Sequence, residues 1–315
     1  MENAKARHSP YGFEIQQNGI MEVRVDIVRF AGGLGNQMFQ YALVEALRNR
    51  GRDVRANLGF YKKHPESDPY LLPNIFTNIQ LEYASDSEFE VINARWQEVK
   101  RSGREKELCG DHGERFFWVE NVSKEPCTYQ PDIFLTKNCT FVGYWQTEKY
   151  FKDIRDSLLF RFRFNEVDLE LEKFAQMIAD DVYVSVHVRR GDYLLNPEIY
   201  MGICTKDYYL RAIEYIRKIE PNSKLIFFSD DLEWVKDNFD IPNAIYCSKN
   251  LFEHYEDWYD MYLMSKCRHN IIANSSFSWW GAWLNQNKEK IIVAPSKWIR
   301  YAKTPDIWCE GWVSL

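Results

Sequence analysis

Several features are missing from this sequence, and each absence excludes a class of protein. No apolar run approaches the roughly 18 residues that a membrane-spanning helix needs. The first twenty residues hold no apolar block of the kind found in signal peptides. No Lys/Arg-rich run is present, and the net charge of −6 disfavours binding to the phosphates of nucleic acid. We therefore expect a chain that has no membrane span and does not bind nucleic acid.

Paired cysteines are missing as well. The seven cysteines include no C-x-x-C pair, and their odd number argues against a disulfide framework. Scattered free thiols suit a reducing compartment, so the expected location of the protein is the cytoplasm.

What the sequence does have is enough length and apolar character for about two globular domains. At ~150 residues per domain, a chain of 315 residues allows two separate cores. The composition is 45% hydrophobic and 27% charged, which excludes a disordered or fibrous chain. Aromatic residues make up 16% of the chain. Their faces suit sugar rings and bases, but they suit ordinary cores equally well.

The first half of the chain opens with a strand, a glycine turn and a helix. Alternating apolar residues over 23–27 predict the strand. The strand runs into the glycine turn 31–36, and apolar residues at helical spacing follow over 39–47. This order is the start of a Rossmann-like unit. We assign residues 1–20 to a disordered leader; the alternatives are that Met21 is the real start or that these residues form a functional N-terminal arm. Residues 21–150 are assigned to an N-terminal Rossmann-like domain.

The second half of the chain alternates strands and helices. Alternating valines over 182–188 predict one strand, and short apolar runs at 225–228, 271–273 and 291–293 predict three more. Strands that alternate with helices form parallel sheets covered on both faces. We therefore expect an α/β fold in which residues 151–315 form a second Rossmann-like domain. Two such domains that face each other place a ligand in the central cleft, at the carboxyl ends of the strands.

The strongest candidate site is the run His187-Val188-Arg189-Arg190-Gly191-Asp192 at the end of a predicted strand. Alternation places His187 and Arg189 on one face of that strand. Arg189 suits an anion such as phosphate, because its guanidinium is a rigid fork whose charge does not switch off. Arg190 faces the other way, and we expect it to be the structural partner of Asp192. The alternative is that the run only ties a loop to the sheet through an ion pair.

A second candidate site is the turn Ser275-Ser276-Phe277, which joins a predicted strand to an aromatic helix. Backbone N–H groups and serine hydroxyls at a helix N-terminus attract anions. The alternative is a turn that only caps a buried helix. For the tryptophans of that helix we favour packing in the core over stacking on sugar; they are Trp279, Trp280 and Trp283.

Two neighbouring carboxylates, Asp230 and Asp231, follow another predicted strand. Neighbours on a strand point apart and no further ligand follows at suitable spacing, so we predict no metal site here. One carboxylate could accept hydrogen bonds from a base edge such as that of guanine, whereas the alternative is the N-cap of the next helix. The glycine turn 32–35 is a weak dinucleotide signal, because Met38 occupies the position of the third glycine.

Three blocks of the sequence together resemble a known family. They are G-G-L-G-N-Q-M-F-Q-Y-A from Gly32 to Ala42, the H-V-R-R-G-D run, and S-S-F-S-W-W-G-A-W-L from Ser275 to Leu284. In this order they resemble the bacterial α-1,2-fucosyltransferases of glycosyltransferase family 11. The resemblance implies a GT-B fold, with the N-terminal domain on the acceptor side and the C-terminal domain binding GDP-β-L-fucose. It also implies inverting transfer of fucose to the 2-hydroxyl of a terminal β-galactoside, with no metal or other cofactor.

The resemblance further implies roles for individual residues. Arg189 is expected on the β-phosphate of the donor, with His187 beside the nucleotide. The turn of Ser275, Ser276 and Phe277 is expected to bind phosphate, and Asp230 or Asp231 to contact guanosine. The loop expected to close on donor and acceptor contains Gly33, Gly35, Asn36 and Gln37.

An inverting displacement also asks for a base on the acceptor hydroxyl. Asp192 and Glu198 are the carboxylates nearest to Arg189 in the sequence, and neither is favoured over the other. The catalytic candidates are therefore Arg189, Asp192 and Glu198.

Two other functions stay open. The glycine turn would fit a nicotinamide-dependent oxidoreductase, and the aromatic residues would fit a non-catalytic glycan-binding protein. The sequence does not specify which galactoside is extended or the oligomeric state. A lipid-linked acceptor would add peripheral contact with a membrane.

Overall fold

The computed structural model describes residues 13–15, 21–23, 25–103, 117–120 and 125–315. Strands β1 (Phe13–Ile15) and β2 (Met21–Val23) pair with each other in antiparallel fashion. Strand β1 lies within the predicted leader 1–20, whose other residues lie outside the described part of the chain. A disordered leader therefore stays a prediction.

The N-terminal sheet consists of four parallel strands with helices packed against it. Its strands are β3 (Asp26–Arg29), β4 (Val54–Asn57), β5 (Phe117–Val119) and β6 (Thr140–Val142). Their spatial order is β4-β3-β6-β5. The accompanying helices are α1 (Leu34–Arg48), α2 (Gly59–Lys63), α3 (Leu72–Ile75), α4 (Asp86–Ser102) and α5 (Arg155–Arg161). Three short 3-10 turns occupy Pro131–Phe134, Glu148–Tyr150 and Lys152–Ile154.

The C-terminal sheet consists of six parallel strands. They are β7 (Tyr183–Val188), β8 (Lys224–Ser229), β9 (Ile245–Tyr246), β10 (His269–Ile271), β11 (Ile292–Ala294) and β12 (Val313–Ser314). Their spatial order is β12-β11-β10-β7-β8-β9. The helices of this half are α6 (Leu169–Ala179), α7 (Pro197–Tyr200), α8 (Lys206–Ile219), α9 (Leu232–Asn238), α10 (Tyr259–Lys266) and α11 (Ser276–Leu284). Two 3-10 turns lie at Asp192–Leu195 and Lys249–Leu251.

The alternating pattern therefore forms two parallel sheets, as predicted, and the carboxyl ends of both border one cleft. This confirms the α/β fold of the GT-B type with two Rossmann-like halves. All six residues of β7 are buried, because this central strand is covered on both faces. Strand β10 covers residues 269–271 and is therefore shifted by two residues toward the N-terminus from the predicted run 271–273. The apolar run indicates burial, and burial continues past the last residue of the hydrogen-bonded strand.

Side-chain caps define where two helices of the C-terminal half begin. The hydroxyl of Thr205 accepts a hydrogen bond from the N–H of Tyr208 at 3.3 Å, which opens α8. The carboxylate of Asp231 accepts one from the N–H of Trp234 at 3.2 Å, which opens α9. These short polar side chains satisfy N–H groups that have no partner inside the helix. The N-cap considered for Asp231 is therefore confirmed.

The aromatic helix α11 packs against α1 and joins the two halves in one core. Trp279 and Trp280 are fully buried, with ring centroids 4.6 and 4.9 Å from that of Phe39 in α1. The indole N–H of Trp280 donates to the backbone oxygen of Gly35 at 3.0 Å. Trp283 is buried beside Arg155, whose guanidinium lies 4.1 Å from the ring centroid. The expected packing role of these tryptophans is thus confirmed.

The predicted boundary at residue 150 stays a prediction, because the apolar core around α1 draws on both sides of it. Ile154, Leu158 and Phe162 belong to that core although they follow residue 150, and so do the tryptophans of α11. The two halves are therefore distinct as sheets but share side chains in the core between them.

Two expected absences concern the described residues only. In that part of the chain, no helix combines the length and the apolar character needed to cross a bilayer. The cysteines described there are all free thiols: Cys127, Cys139, Cys204, Cys247, Cys267 and Cys309. The seventh, Cys109, lies outside the described residues.

The glycine turn and the start of α11 touch at Gly35. A β-carbon on Gly35 would lie 2.5 Å from the carbonyl carbon of Ser276 and 2.7 Å from the backbone nitrogen of Phe277. Real β-carbons do not approach backbone atoms so closely, so the contact requires glycine. It fixes the distance between the N-terminal turn and the C-terminal helix.

We expect Gly35→Ala to lower the free energy of unfolding by about 1–3 kcal/mol, because the added methyl group must push two backbone segments apart. Gly33→Ala is the matched control. Its β-carbon would meet only the exposed carboxylate of Asp68, at 3.1 Å, which can rotate away. Urea unfolding followed by tryptophan fluorescence measures both variants. Equal stabilities of the two would contradict a backbone contact at Gly35.

Candidate functional site

A cleft of about 960 Å³ lies between the carboxyl ends of the two sheets. One wall is N-terminal and carries the glycine turn 33–36 together with Glu120, which follows β5. The opposite wall is C-terminal and carries the ends of β7 and β8 and the start of α11. The residues named from the sequence that line it are Gly33, Gly35, Asn36, His187, Arg189, Asp192, Asp230, Ser275, Ser276 and Phe277.

Three residues named from the sequence lie elsewhere. Gln37 is fully buried under the glycine turn, where its amide group binds backbone atoms of Gly32, Pro69 and Leu71 at 2.8–3.1 Å. Asp231 caps α9. Glu198 is exposed on α7 and is not part of the cleft wall.

Arg189 is held by two carboxylates at the mouth of β7. Its guanidinium lies 2.8 Å from Asp192 and 3.2 Å from Asp230, and 37% of its side chain is exposed. Burial alone would lower the pKa of Arg189, but the charges of Asp230 and Asp192 outweigh it and raise that pKa. The group is therefore a permanent cation of fixed orientation.

The predicted pair between Arg190 and Asp192 is wrong. Arg190 binds Asp231 at 3.0 Å and stacks on Trp234, with its guanidinium carbon 3.9 Å from the ring centroid. After Gly191 the chain enters the 3-10 turn Asp192–Leu195 instead of continuing the strand. That turn carries Asp192 back over Arg189, so the strand alternation used for the prediction no longer applies.

Asp230 positions the loop that carries Arg189. Its carboxylate accepts hydrogen bonds from the N–H groups of Arg190 and Gly191 at 2.9 and 3.0 Å. A β-carbon on Gly191 would lie 2.7 Å from one of these carboxylate oxygens, so a larger residue would push the carboxylate away. Asp230 therefore acts within the protein as the anchor of this loop.

The start of α11 offers the cleft backbone donors for which the described residues supply no partner. Ser275 is its N-cap and makes no side-chain capping hydrogen bond. The first N–H groups of a helix have no partner within the helix and carry the positive end of its dipole. Ser275, Ser276 and Phe277 all line the cleft, so this helix start can bind an anion that Arg189 also reaches.

His187 is neutral. It is buried at the end of β7, with its ring 5.9 Å from that of Phe277 and its Nδ1 without a partner among the described residues. Burial, aided by the charge of Arg189, lowers the pKa of His187 to about 3. It can therefore donate a hydrogen bond to a ligand or accept one from it, but its ring carries no positive charge at neutral pH.

Four further carboxylates line the cleft and were not found from the sequence: Asp68, Glu120, Asp257 and Asp260. Asp260, in α10, accepts a hydrogen bond from the Tyr255 hydroxyl at 2.6 Å, and burial raises its pKa to about 7. Glu120 is buried behind β5 and accepts hydrogen bonds from the N–H groups of Tyr144 and Trp145 at 2.6 and 3.0 Å. Each is a single acidic residue outside any motif, and only the packing of the chain brings it to the cleft.

The chain resembles known glycosyltransferases in sequence. A profile of Glycosyl transferase family 11 matches residues 130–315. The chain is 32% identical to an alpha-1,2-colitosyltransferase of Escherichia coli, over 86% of this chain and 91% of that protein. It is also 32% identical to the O-antigen biosynthesis glycosyltransferase WbnK of Escherichia coli, over 90% of this chain and 98% of that protein.

More distant proteins match as well. A galactoside alpha-(1,2)-fucosyltransferase 1 of Saimiri boliviensis boliviensis is 25% identical over 80% of this chain and 63% of that protein. Among solved structures, NodZ alpha-1,6-fucosyltransferase co-crystallized with GDP aligns with 82% of this chain and 91% of its own, at 16% identity and a TM-score of 0.42.

We expect Arg190→Ala to lower the free energy of unfolding by about 1 kcal/mol, because it removes both an ion pair and a stacked cation. Arg211→Ala is the matched control, since its pair with Asp207 on α8 is exposed and isolated. The control should change stability by less than about 0.5 kcal/mol. Urea unfolding measures both, and an equal effect would show that the stacking on Trp234 contributes nothing.

Proposed function

The chain belongs to glycosyltransferase family 11, and on that premise we propose that it transfers L-fucose from GDP-β-L-fucose to the 2-hydroxyl of a terminal β-galactoside, with inversion. The observation that carries this proposal is the pairing in one cleft of a fixed cation, Arg189, with the N-terminal turn of α11. The α-1,2 linkage and the galactoside acceptor agree with the names of the relatives.

The chemistry of the donor explains why such a pair is needed. Breaking the bond between fucose and phosphate builds positive charge on the sugar and negative charge on the leaving GDP. A fixed cation and oriented N–H groups stabilise that negative charge without reorganising during the reaction. We assign the diphosphate to Arg189 and to the N–H groups of Ser276 and Phe277, and we propose that no metal ion is required.

Asp260 is a better candidate for contact with guanine than Asp230 or Asp231. Those two carboxylates are engaged by backbone N–H groups and by arginines. Asp260 lines the same cleft beside the segment Cys247–Asn250, and its recorded hydrogen bonds, from Tyr255 and Cys247, both engage Oδ1. The other oxygen can accept hydrogen bonds from the N–H groups of a guanine edge.

The donor sugar has one specific alternative. A relative that is 32% identical carries the name of a colitosyltransferase. Colitose is fucose without the 3-hydroxyl group, so the two donors differ by one hydrogen-bonding group. The nicotinamide-dependent oxidoreductase and the non-catalytic glycan-binding protein lose their support, because the chain belongs to a family of glycosyltransferases.

The function is tested by incubating the protein in EDTA with GDP-fucose or GDP-colitose and a panel of β-galactosides, followed by linkage analysis of the product. We expect a 2-linked fucosyl galactoside. Arg189→Ala should lower kcat by about 10²–10³, because one contact to the leaving group is lost. Arg190→Ala is the neighbouring control and should retain transfer. No product from any GDP-sugar, or transfer that requires added Mg²⁺ or Mn²⁺, would contradict the proposal.

The role of Asp260 predicts a pH dependence of GDP binding. The ionised carboxylate accepts hydrogen bonds from guanine N–H groups more strongly than the protonated acid does, and the pKa of Asp260 is raised to about 7 by burial. GDP affinity should therefore weaken as the pH falls below about 7, by up to about tenfold per pH unit.

Calorimetric titration with GDP between pH 5.5 and 8.5 measures this pH dependence. Dividing the GDP affinity of the wild type by that of Asp260→Asn at each pH removes the contribution from ionisation of the phosphate. Glu256→Gln, an exposed neighbour, is the control and should follow the wild type. A ratio that does not change with pH would rule out Asp260 as the contact.

A further inference from the structure

If the proposed function holds, a general base must remove the proton from the hydroxyl of the acceptor sugar, and the carboxylates of the cleft are the candidates. In an inverting displacement the acceptor attacks the face of the sugar opposite to the leaving group. The base must then lie across the cleft from Arg189 and the start of α11. The carboxylates that line the cleft are Asp68, Glu120, Asp192, Asp230, Asp257 and Asp260.

Four of these carboxylates lie on the wrong wall. Asp192 and Asp230 are bound to Arg189, on the side of the leaving diphosphate. Asp257 lies just before α10 and Asp260 lies within it, so both belong to the C-terminal half. Only Asp68 and Glu120 come from the N-terminal wall. The sequence-based candidate Glu198 is exposed on α7 and does not line the cleft.

Glu120 is fixed in place, whereas Asp68 is not. Asp68 is exposed on a loop, and no hydrogen bond to its side chain is recorded among the described residues. The Oε2 atom of Glu120 accepts hydrogen bonds from two consecutive N–H groups, those of Tyr144 and Trp145. Trp145 adopts a φ of +59°, which is rare for a residue with a side chain. This unusual turn aims both N–H groups at one oxygen.

The remaining oxygen of Glu120, Oε1, has no partner in the part of the chain that the structure describes, and it is not among the enclosed polar atoms that lack a partner. Because Glu120 lines the cleft, this oxygen is the part of the side chain that an acceptor can meet. Beside it, the amide of Gln146 donates to Asn36 at 2.7 Å and links this wall to the glycine turn.

The surroundings of Glu120 favour proton uptake. The titratable groups packed around it are Cys127, Tyr144 and Tyr150, and burial raises the pKa of all three, so they are neutral near pH 7. Beyond them lie Asp306, which is paired with Lys149, and Arg29, next to Tyr144. Burial raises the pKa of Glu120 itself, which makes its carboxylate a stronger base than one in water.

We propose that Glu120 is the general base of this enzyme. Its Oε1 takes the proton from the 2-hydroxyl of the acceptor. At the same time the oxygen of that hydroxyl forms a bond to C1 of the donor sugar. The bond from C1 to the β-phosphate oxygen breaks, and its electron pair leaves with GDP against Arg189. The proton on Glu120 then passes to solvent when the product departs.

The test compares Glu120→Gln with Glu120→Asp and with the control Glu45→Gln. Glutamine keeps the shape of the side chain, and its oxygen can still accept from Tyr144 and Trp145. We expect Glu120→Gln to lower kcat by about 10²–10⁴ while GDP binds as tightly as in the wild type. Glu45 is also a buried carboxylate of the N-terminal half, bound to Arg161 at 2.9 Å but outside the cleft, so its variant should keep full kcat.

The pH profile separates a base from a structural carboxylate. The wild type should lose kcat/KM on the acid side as Glu120 takes up a proton, and this acid limb should be absent in Glu120→Gln. Glu120→Asp should keep the limb with a lower kcat. A Glu120→Gln variant with kcat within threefold of wild type, or with an unchanged acid limb, would overturn the proposal. If the wild type itself transfers no sugar although it binds GDP, the proposed function fails instead.

Discussion

The contact between Gly35 and the start of α11 is the constraint on which the rest of the structure depends. The glycine turn and Ser276 approach so closely that no side chain fits between them. The indole of Trp280 binds the oxygen of the same glycine. The N-terminal wall is thereby held against the helix whose first N–H groups we assign to the diphosphate. A small shift at this point would change the distance between the two walls of the cleft.

Within the cleft, charge is arranged before any ligand arrives. Arg189 is oriented by Asp192 and Asp230, and Asp230 is itself fixed by backbone N–H groups. His187 stays neutral because burial and Arg189 both oppose its protonation. The C-terminal wall therefore presents a fixed cation and the positive end of a helix dipole to the cleft. Such preorganised groups stabilise developing charge without the cost of reorientation.

The two walls have opposite chemical roles in the proposed reaction. In that reaction the C-terminal wall stabilises negative charge on GDP, and the N-terminal wall offers Glu120, beside which the buried Cys127 and Tyr144 stay neutral. Placing the base on the same wall as Arg189 would pair the two charges, as the pair of Arg189 with Asp192 demonstrates. Separation across a cleft keeps the base unpaired while the cation remains available. The cost is that the N-terminal wall must bury a carboxylate, which two N–H groups of an unusual turn offset.

The sequence by itself determined the alternation of strands and helices and the placing of Arg189 and the Ser275 turn at strand ends. These features are local, because they follow from periodicity and from motifs whose residues are adjacent in the chain. It did not determine which arginine pairs with Asp192, since a 3-10 turn after Gly191 replaced the expected strand. Nor could it find Glu120 or Asp260, which stand alone in the sequence. Only the tertiary structure brought them to the cleft, because that depends on how two sheets and a shared aromatic core pack together.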